Sequence, residues 1–323
     1  MPITDGIHQS DEGGGSPPNR SARVHYALYL LPLVLAPILL LLFGLFVIPT
    51  QWYTSLGGDP WLMGMGYGGT LHHADCQLVV YGDSTAMIGV DSERIRQRTG
   101  LKTCNIAENE GSIILNGTMV LDQYLSQNAR PRYILFLFAP EDLDPFSPKQ
   151  KHGLFEAITY RLRQPHKLAS LWLILHRPED IFTWLSAGMD SMLRHIRGRH
   201  LTVEEMSTRE RHGGRLTMLD APLTSCTEDP FEIPPNLPWL GGLRDKYRSA
   251  GTTVLVDAMP LPVCDPSLAY YKERLPTVVD NPGLTFPVSA YIYGGRHAST
   301  EGIALLSDTL SKQILDLQQS SGR

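Results

Sequence analysis

The chain has 323 residues, 42% hydrophobic and 19% charged, with a formal net charge of −5. That balance is ordinary for a globular protein and offers no basic field for gathering phosphates, so nucleic acid is not an expected partner. Once the first fifty or so residues are set aside as tail and apolar run, roughly 270 remain, enough for one large α/β domain or two small ones.

Residues 1–19 are rich in Gly, Ser, Pro and acids and show no apolar periodicity, which predicts a disordered tail extending to about residue 25. Tyr26 to Pro49 is a run of 24 residues without a charge. As a helix it would be about 36 Å long, enough to cover a hydrocarbon core of roughly 30 Å. Pro32 and Pro37 inside it predict a kink, which membrane helices tolerate. The run is longer than the apolar part of a cleaved signal, and no A-x-A-like site follows it, so the reading is an anchor over 26–49. Arg20 and Arg23 precede the run and no Lys or Arg follows until Arg94, which keeps the N-terminus in the cytoplasm and places the bulk outside it. Trp52, Tyr53 and Trp61 are positioned as anchors at the outer interface.

Residues 50–75 read as a linker. Its Gly64, Gly66, Gly68 and Gly69 form no phosphate loop, because no strand precedes them and no Lys follows. His72 and His73 are adjacent and would point to opposite sides of an extended segment, so no metal site is expected.

From Cys76 onward the pattern alternates between strand and helix, the signature of a parallel sheet with crossover helices. A first strand over Cys76–Tyr81 ends at Gly82 and hands over to a helix from about Ser84 to Arg98, closed by Gly100. Lys102 to Ile106 reads as the second strand, followed by a loop and a helix near Ile113 to Ser126. Arg132 to Phe138 is nearly continuous apolar sequence, as expected of a strand buried on both faces at the sheet centre. From about Lys149 to His200 the chain is rich in helix formers and reads as a helical insertion whose apolar residues serve packing rather than lipid contact. The Pro- and Gly-rich stretch 201–237 reads as an excursion or hairpin, so the whole insertion covers about 149–237. A helix near Trp239–Ser249 and a strand over Thr252–Asp257 follow. The final helix is capped by Ser299 or Thr300 and buries the face made by Ile303, Leu306, Leu310, Ile314 and Leu317.

Four cysteines permit three pairings, and an oxidising compartment would permit bridges. Cys226 with Cys264 is the preferred pair, since both lie in Pro-rich, loop-like stretches. Cys76 and Cys104 fall in or beside predicted buried strands and read equally as small buried thiols or a second bridge.

The sharpest chemical feature is Gly82-Asp83-Ser84-Thr85, at the corner between the first strand and its helix. Ligands of open parallel sheets bind outside the carboxyl ends of the strands, so Ser84 stands at the rim of the expected cleft, at a helix N-terminus that favours developing negative charge. A serine with no base beside it is more simply an N-cap. His297, at the far end of the chain just before the last helix, could supply that base.

With these residues the chain resembles the SGNH, or GDSL-like, hydrolases and acyltransferases. Tyr81-Gly82-Asp83-Ser84 is similar to their nucleophile block, and His297 with Gly302 to their closing block. Asn105-Ile106-Ala107 to Gly111 resembles the block that supplies an oxyanion-hole N–H. Ala139-Pro140-Glu141-Asp142 occupies the place of their Gly-x-Asn-Asp block. The resemblance covers about Cys76 to Gln318. It implies an α/β fold with a flavodoxin-like three-layer parallel sheet, no cofactor, Ser84 as nucleophile and His297 as base. Asp83, Asn105 and Glu141 are further block residues.

Two positions depart from the family pattern. Gly294 stands where an Asp is expected three residues before His297, so either Asp280 completes a triad or a Ser-His dyad acts alone. Glu141 stands where an Asn would donate to the oxyanion, and an ionised carboxylate cannot donate. Either Asn109 donates in its stead or the backbone N–H groups of Ser84 and Gly111 suffice. A membrane anchor joined to such a domain resembles the proteins of alginate O-acetylation and teichoic acid D-alanylation. That likeness implies a single-pass inner-membrane protein with a periplasmic domain. Its activity would be that of a serine esterase or O-acyltransferase adding or removing acyl groups, acetyl above all, on a cell-envelope or exported polysaccharide, with an integral membrane acyltransferase as a partner. The alternative is a catalytically inactive scaffold or glycan-binding subunit of an envelope assembly complex.

Overall fold

Short β-branched and aromatic runs form the centre of the molecule. In the computed structural model, which describes residues 20–46, 66–147, 155, 158, 161, 167–196, 211–217, 221–226, 230–249, 251–281, 285–292 and 295–321, four parallel strands make one sheet. They are β1 (Leu78–Gly82), β2 (Thr103–Asn105), β3 (Tyr133–Phe138) and β4 (Thr253–Ala258), in the order β2-β1-β3-β4. Residues 1–19 of the predicted tail, residues 47–49 of the predicted span, most of the linker with Trp52, Tyr53 and Trp61, and Gly294 lie outside the described residues, whereas residues 20–25, expected to belong to the tail, are helical.

Alternation along the strands divides the core into two layers. Val79, Tyr81, Ile134, Phe136, Phe138, Val254 and Val256 face one side. They meet α6 (Met119–Gln127) through Val120, Leu121 and Tyr124, and α9 (Leu237–Tyr247) through Leu240, Leu243 and Tyr247. Leu78, Val80, Tyr133, Leu135, Leu137 and Leu255 face the other side. There they meet α3 (Ser84–Gly89), α4 (Ser92–Thr99) and the last helix, α11 (Thr300–Ser321), through Ala86, Met87, Ile95, Leu306, Leu310 and Ile314. The result is an α/β domain with helices on both faces of a parallel sheet.

Two predicted helices are each split in the structure. Asp91 caps α4 through Glu93 N (3.1 Å) and Arg94 N (3.0 Å), so the expected helix over 84–98 breaks at Val90–Asp91. Gly117, at φ 56°, separates α5 (Glu110–Asn116) from α6. The linker reading also shortens: α2 (Tyr67–Thr70) is folded onto the domain, with Tyr67 and Gly68 buried. A Cβ at Gly68 would lie 2.8 Å from Ile106 Cβ, a contact only glycine allows.

The first helix, α1 (Arg20–Phe46), contains one stretch, Val24–Phe43, long and apolar enough to cross a membrane, with both predicted prolines inside it. Of the helical insertion, α7 (Lys167–His176) and α8 (Ile181–Ile196) are described. Ile174, Trp184 and Ala187 form a small core with Ile158, against which Leu41, Phe43 and Leu115 pack. Packing accounts for one face only, since large apolar side chains remain exposed on the others. Among the described residues of 201–237 there is no hairpin. Residues 211–217 run beside β2, where Gly213 O accepts from Asn105 N (2.9 Å), and Ile233 is buried near Tyr271. The remaining elements are the short pair β5 (Leu261–Pro262) and β6 (Thr285–Phe286), α10 (Leu268–Arg274), and the antiparallel pair β7 (Tyr291–Ile292) and β8 (His297–Ala298).

Both cysteine pairs are bridged, Cys226–Cys264 and Cys76–Cys104. The second joins the residue two before β1 to β2 and replaces the reading of two buried thiols.

Candidate active site

The strand order reverses direction between β1 and β3, and ligands of open α/β sheets bind outside the strand ends at such a point. Ser84 follows β1 and Glu141 follows β3, so both stand at this switch point. Gly82 pairs with Leu137 so closely that a Cβ there would meet the Leu137 carbonyl oxygen at 1.7 Å. Glycine is thus required one step before the turn. Asp83 then caps α3, accepting from Thr85 N (2.8 Å) and Thr85 Oγ1 (2.6 Å), while its other oxygen accepts from Ala139 N (2.5 Å). This buried carboxylate ties the Ser84 turn to the loop after β3.

His297 arrives from the other end of the chain. Ile292 pairs with His297 in the β7–β8 ladder, and Ser299 holds the start of α11 by donating to Ser289 O (2.7 Å) and accepting from Gly302 N (3.3 Å). Gly302 packs against the same loop, where a Cβ would come within 1.9 Å of the Ala290 carbonyl oxygen. These contacts place His297 Nε2 3.0 Å from Ser84 Oγ, within hydrogen-bond reach across 213 residues of sequence. Burial lowers the His297 pKa below its ordinary 6.5, with the Asp83 charge pulling the other way. The ring is therefore neutral at pH 7 and able to accept a proton.

Asp280 does not reach this histidine. Its carboxylate accepts from Val256 N (2.7 Å) and from Arg244 (3.0 Å), an edge contact to β4, and that correction follows from where the chain places it beside the strand. His297 Nδ1 has no hydrogen-bond partner among the described residues. The pair is a dyad there.

The other sequence-derived candidates separate into distinct roles. Asn105 is fully buried and structural: its amide donates to Ala86 O (2.8 Å) and Val90 O (3.2 Å), closing α3, and its oxygen accepts from Ala107 N (3.1 Å). Asn109 is buried in the loop after β2, and Gly111 lies in the first turn of α5. Glu141 is paired with Arg296, whose guanidinium also donates to Asp265 (2.6 Å). Burial pushes the Glu141 carboxyl above the usual carboxylate range, against the pull of Arg296.

Sequence reasoning missed Arg296, Asp265 and Glu108. A buried carboxylate such as Glu141 calls for a cation, and Arg296 next to His297 supplies it. Asp265 follows the bridged Cys264, and its carboxylate also accepts from Ser267 N (2.8 Å). Glu108 is buried, accepts from Gly66 N (2.9 Å) and donates its own N–H to Gly82 O (2.9 Å), bracing the loop after β2.

Compared with family models, curated proteins and solved structures, the chain finds no significant match.

Proposed function

We propose that this chain is a membrane-anchored serine esterase or O-acyltransferase of the SGNH-like type, acting outside the cytoplasm on acyl groups of a cell-envelope or exported polysaccharide. The observation that carries the reading is the 3.0 Å contact between Ser84 Oγ and His297 Nε2 at the switch point of a parallel sheet. Ser84 Oγ attacks the acyl carbonyl while His297 Nε2 takes its proton. The tetrahedral oxyanion is met by the Ser84 and Gly111 backbone N–H groups, with Asn109 as a side-chain candidate. Collapse breaks the ester C–O bond, and His297 returns the proton to the departing alkoxide. A sugar hydroxyl or water then attacks the acyl-serine, with His297 as base again. The apolar stretch of α1 and the arginines just before that stretch support anchoring with the domain on the far side, close to a polymer in export and to an integral membrane acyl donor.

The test is hydrolysis of a simple acetyl ester by the full chain in detergent, beside Ser84→Ala and His297→Ala. Loss of about 10³-fold or more in both variants is expected, in line with removal of a nucleophile or its base. Equal rates in all three would end the esterase reading. Acetate content of the exported polymer in a deletion strain reads the transferase direction.

The open Nδ1 of His297 favours one second reading, a scaffold or glycan-binding subunit without chemistry. It requires that Ser84→Ala restore a deletion strain fully.

A further inference from the structure

The helical insertion bears two apolar surfaces that the fold does not cover. On α7, Leu171, Trp172 and Leu175 are 42%, 56% and 69% exposed, whereas Ser170 and Ile174 on the opposite face are buried. On α8, Phe182, Met189 and Leu193 are 76%, 46% and 36% exposed and recur at seven and then four residues, one stripe of a helix. Trp184, Ala187 and Gly188 form the inward face. The turn between the helices is polar: Arg177 pairs with Asp180 (2.8 Å) and Glu179 (3.8 Å). Trp172 stacks on His176 at 4.0 Å between ring centroids.

The inward face of α8 fixes the depth of the pair. Gly188 lies against α1 at Leu40, where an added Cβ would sit 3.6 Å from the Leu40 carbonyl oxygen, and Leu41 and Phe43 pack into the same small core as Trp184 and Ala187. The apolar stretch of α1 runs from Val24 to Phe43, so Leu40 lies about 5 Å inside its C-terminal end at 1.5 Å per residue. An element touching α1 at that level shares its depth. Interfacial amphipathic helices bury their apolar face roughly 5–10 Å into the boundary between headgroups and acyl chains. Aromatic residues with one polar contact are favoured at that level. The exposed side of α1 is itself apolar, and α7 and α8 pack beside its C-terminal part.

We infer that α7 and α8 are seated in the lipid leaflet at the C-terminal end of α1, with Leu171, Trp172, Leu175, Phe182, Met189 and Leu193 in contact with acyl chains. The occupant is lipid rather than protein because the depth is set by the lipid-spanning helix, whose own exposed side at that level is apolar. Neither helix is long enough to span: α7 is about 15 Å and α8 about 24 Å long, against a hydrocarbon core of roughly 30 Å. The domain is thereby held to the membrane at a second point, and Leu115 of α5, the helix whose first turn holds Gly111, packs into the same small core. The inference rests on α1 crossing the membrane and is independent of the chemistry at Ser84.

The full chain carries its four cysteines in two bridges, so one added cysteine is the only free thiol. Leu175→Cys, Phe182→Cys, Leu33→Cys on α1 and Gln97→Cys on α4 are labelled with an environment-sensitive fluorophore. Each is reconstituted at less than one chain per vesicle, with lipids carrying a nitroxide near the headgroup end of the acyl chain. The Leu175 and Phe182 labels are expected to lose most of their emission to these lipids, and the Gln97 label to keep its own. Labels at 175 and 182 that behave like Gln97 while the Leu33 label is quenched by nitroxide at the bilayer centre overturn the inference and leave the span intact. Blue-shifted but unquenched emission at 175 and 182 overturns it in favour of a protein cover. An unquenched Leu33 label overturns the span and the inference together.

Discussion

Ser84 and His297 depend on neighbours that do no chemistry themselves. Arg296, directly before the histidine, is held between Glu141 and Asp265, all three largely shielded from water. Replacing it by methionine would leave two carboxyl groups in a buried site without their cation, a loss of about 3–5 kcal/mol. Lysine keeps the charge but not the forked geometry and should recover only part of that. Thermal unfolding of Arg296→Met and Arg296→Lys checks the order. The histidine has its own signature. Because burial lowers its pKa, the proton-accepting form persists below pH 6.5, and kcat/KM for an acetyl ester should fall off only on the acid side of that value. An acid limb centred above 6.5 would contradict the buried, neutral ring. Ser84 and His297 were both legible in sequence, since a serine after Gly-Asp at a strand end and a histidine before a closing helix are local patterns. Of the two alternatives for the third member, Asp280 falls away because its carboxylate caps the edge of β4, which no local pattern in the sequence discloses.

Helices and strands were legible in kind and less so in extent. Continuous apolar runs gave β1, β3 and β4 within a residue or two, because burial on both faces imposes that pattern directly. The breaks at Val90–Asp91 and at Gly117 were missed, since an Asp cap or a single glycine inside a periodic stretch is compatible with an unbroken helix until tertiary contacts choose. Gly302 shows the converse. It was read as part of a closing block, and the structure supplies the reason: the first turn of α11 crosses the loop before β7 at backbone contact. Gly302→Ala should cost about 1–3 kcal/mol as an overpacked site and displace His297, lowering esterase rate more than a surface substitution of equal stability cost. Denaturant unfolding and rate, measured on the same sample, separate the two effects.

At the scale of the molecule, the α/β architecture followed from alternation of element types, whereas the partition of the insertion between core and exposed face could not, because apolar residues look alike whatever they touch. The same holds for Asp257 at the end of β4. Burial pushes its carboxyl up to about 7, with Gln313 at 3.2 Å as its partner. A raised folded-state value means stability is fully present below the ordinary 3.8 and declines as pH rises through about 7, where the group must ionise inside the fold. Asp257→Asn removes that slope. The melting temperature of the variant should exceed that of the parent at pH 8 by more than at pH 5, the free-energy span being on the order of a few kcal/mol.

The Cys226–Cys264 bridge sits one residue from Asp265, which anchors Arg296 next to His297. If the domain folds beyond the cytoplasm, the latch closes only after oxidation. On the proposed reading, a newly made copy still among cellular reductants would lack that staple and hold its imidazole less firmly until it reached an oxidising compartment.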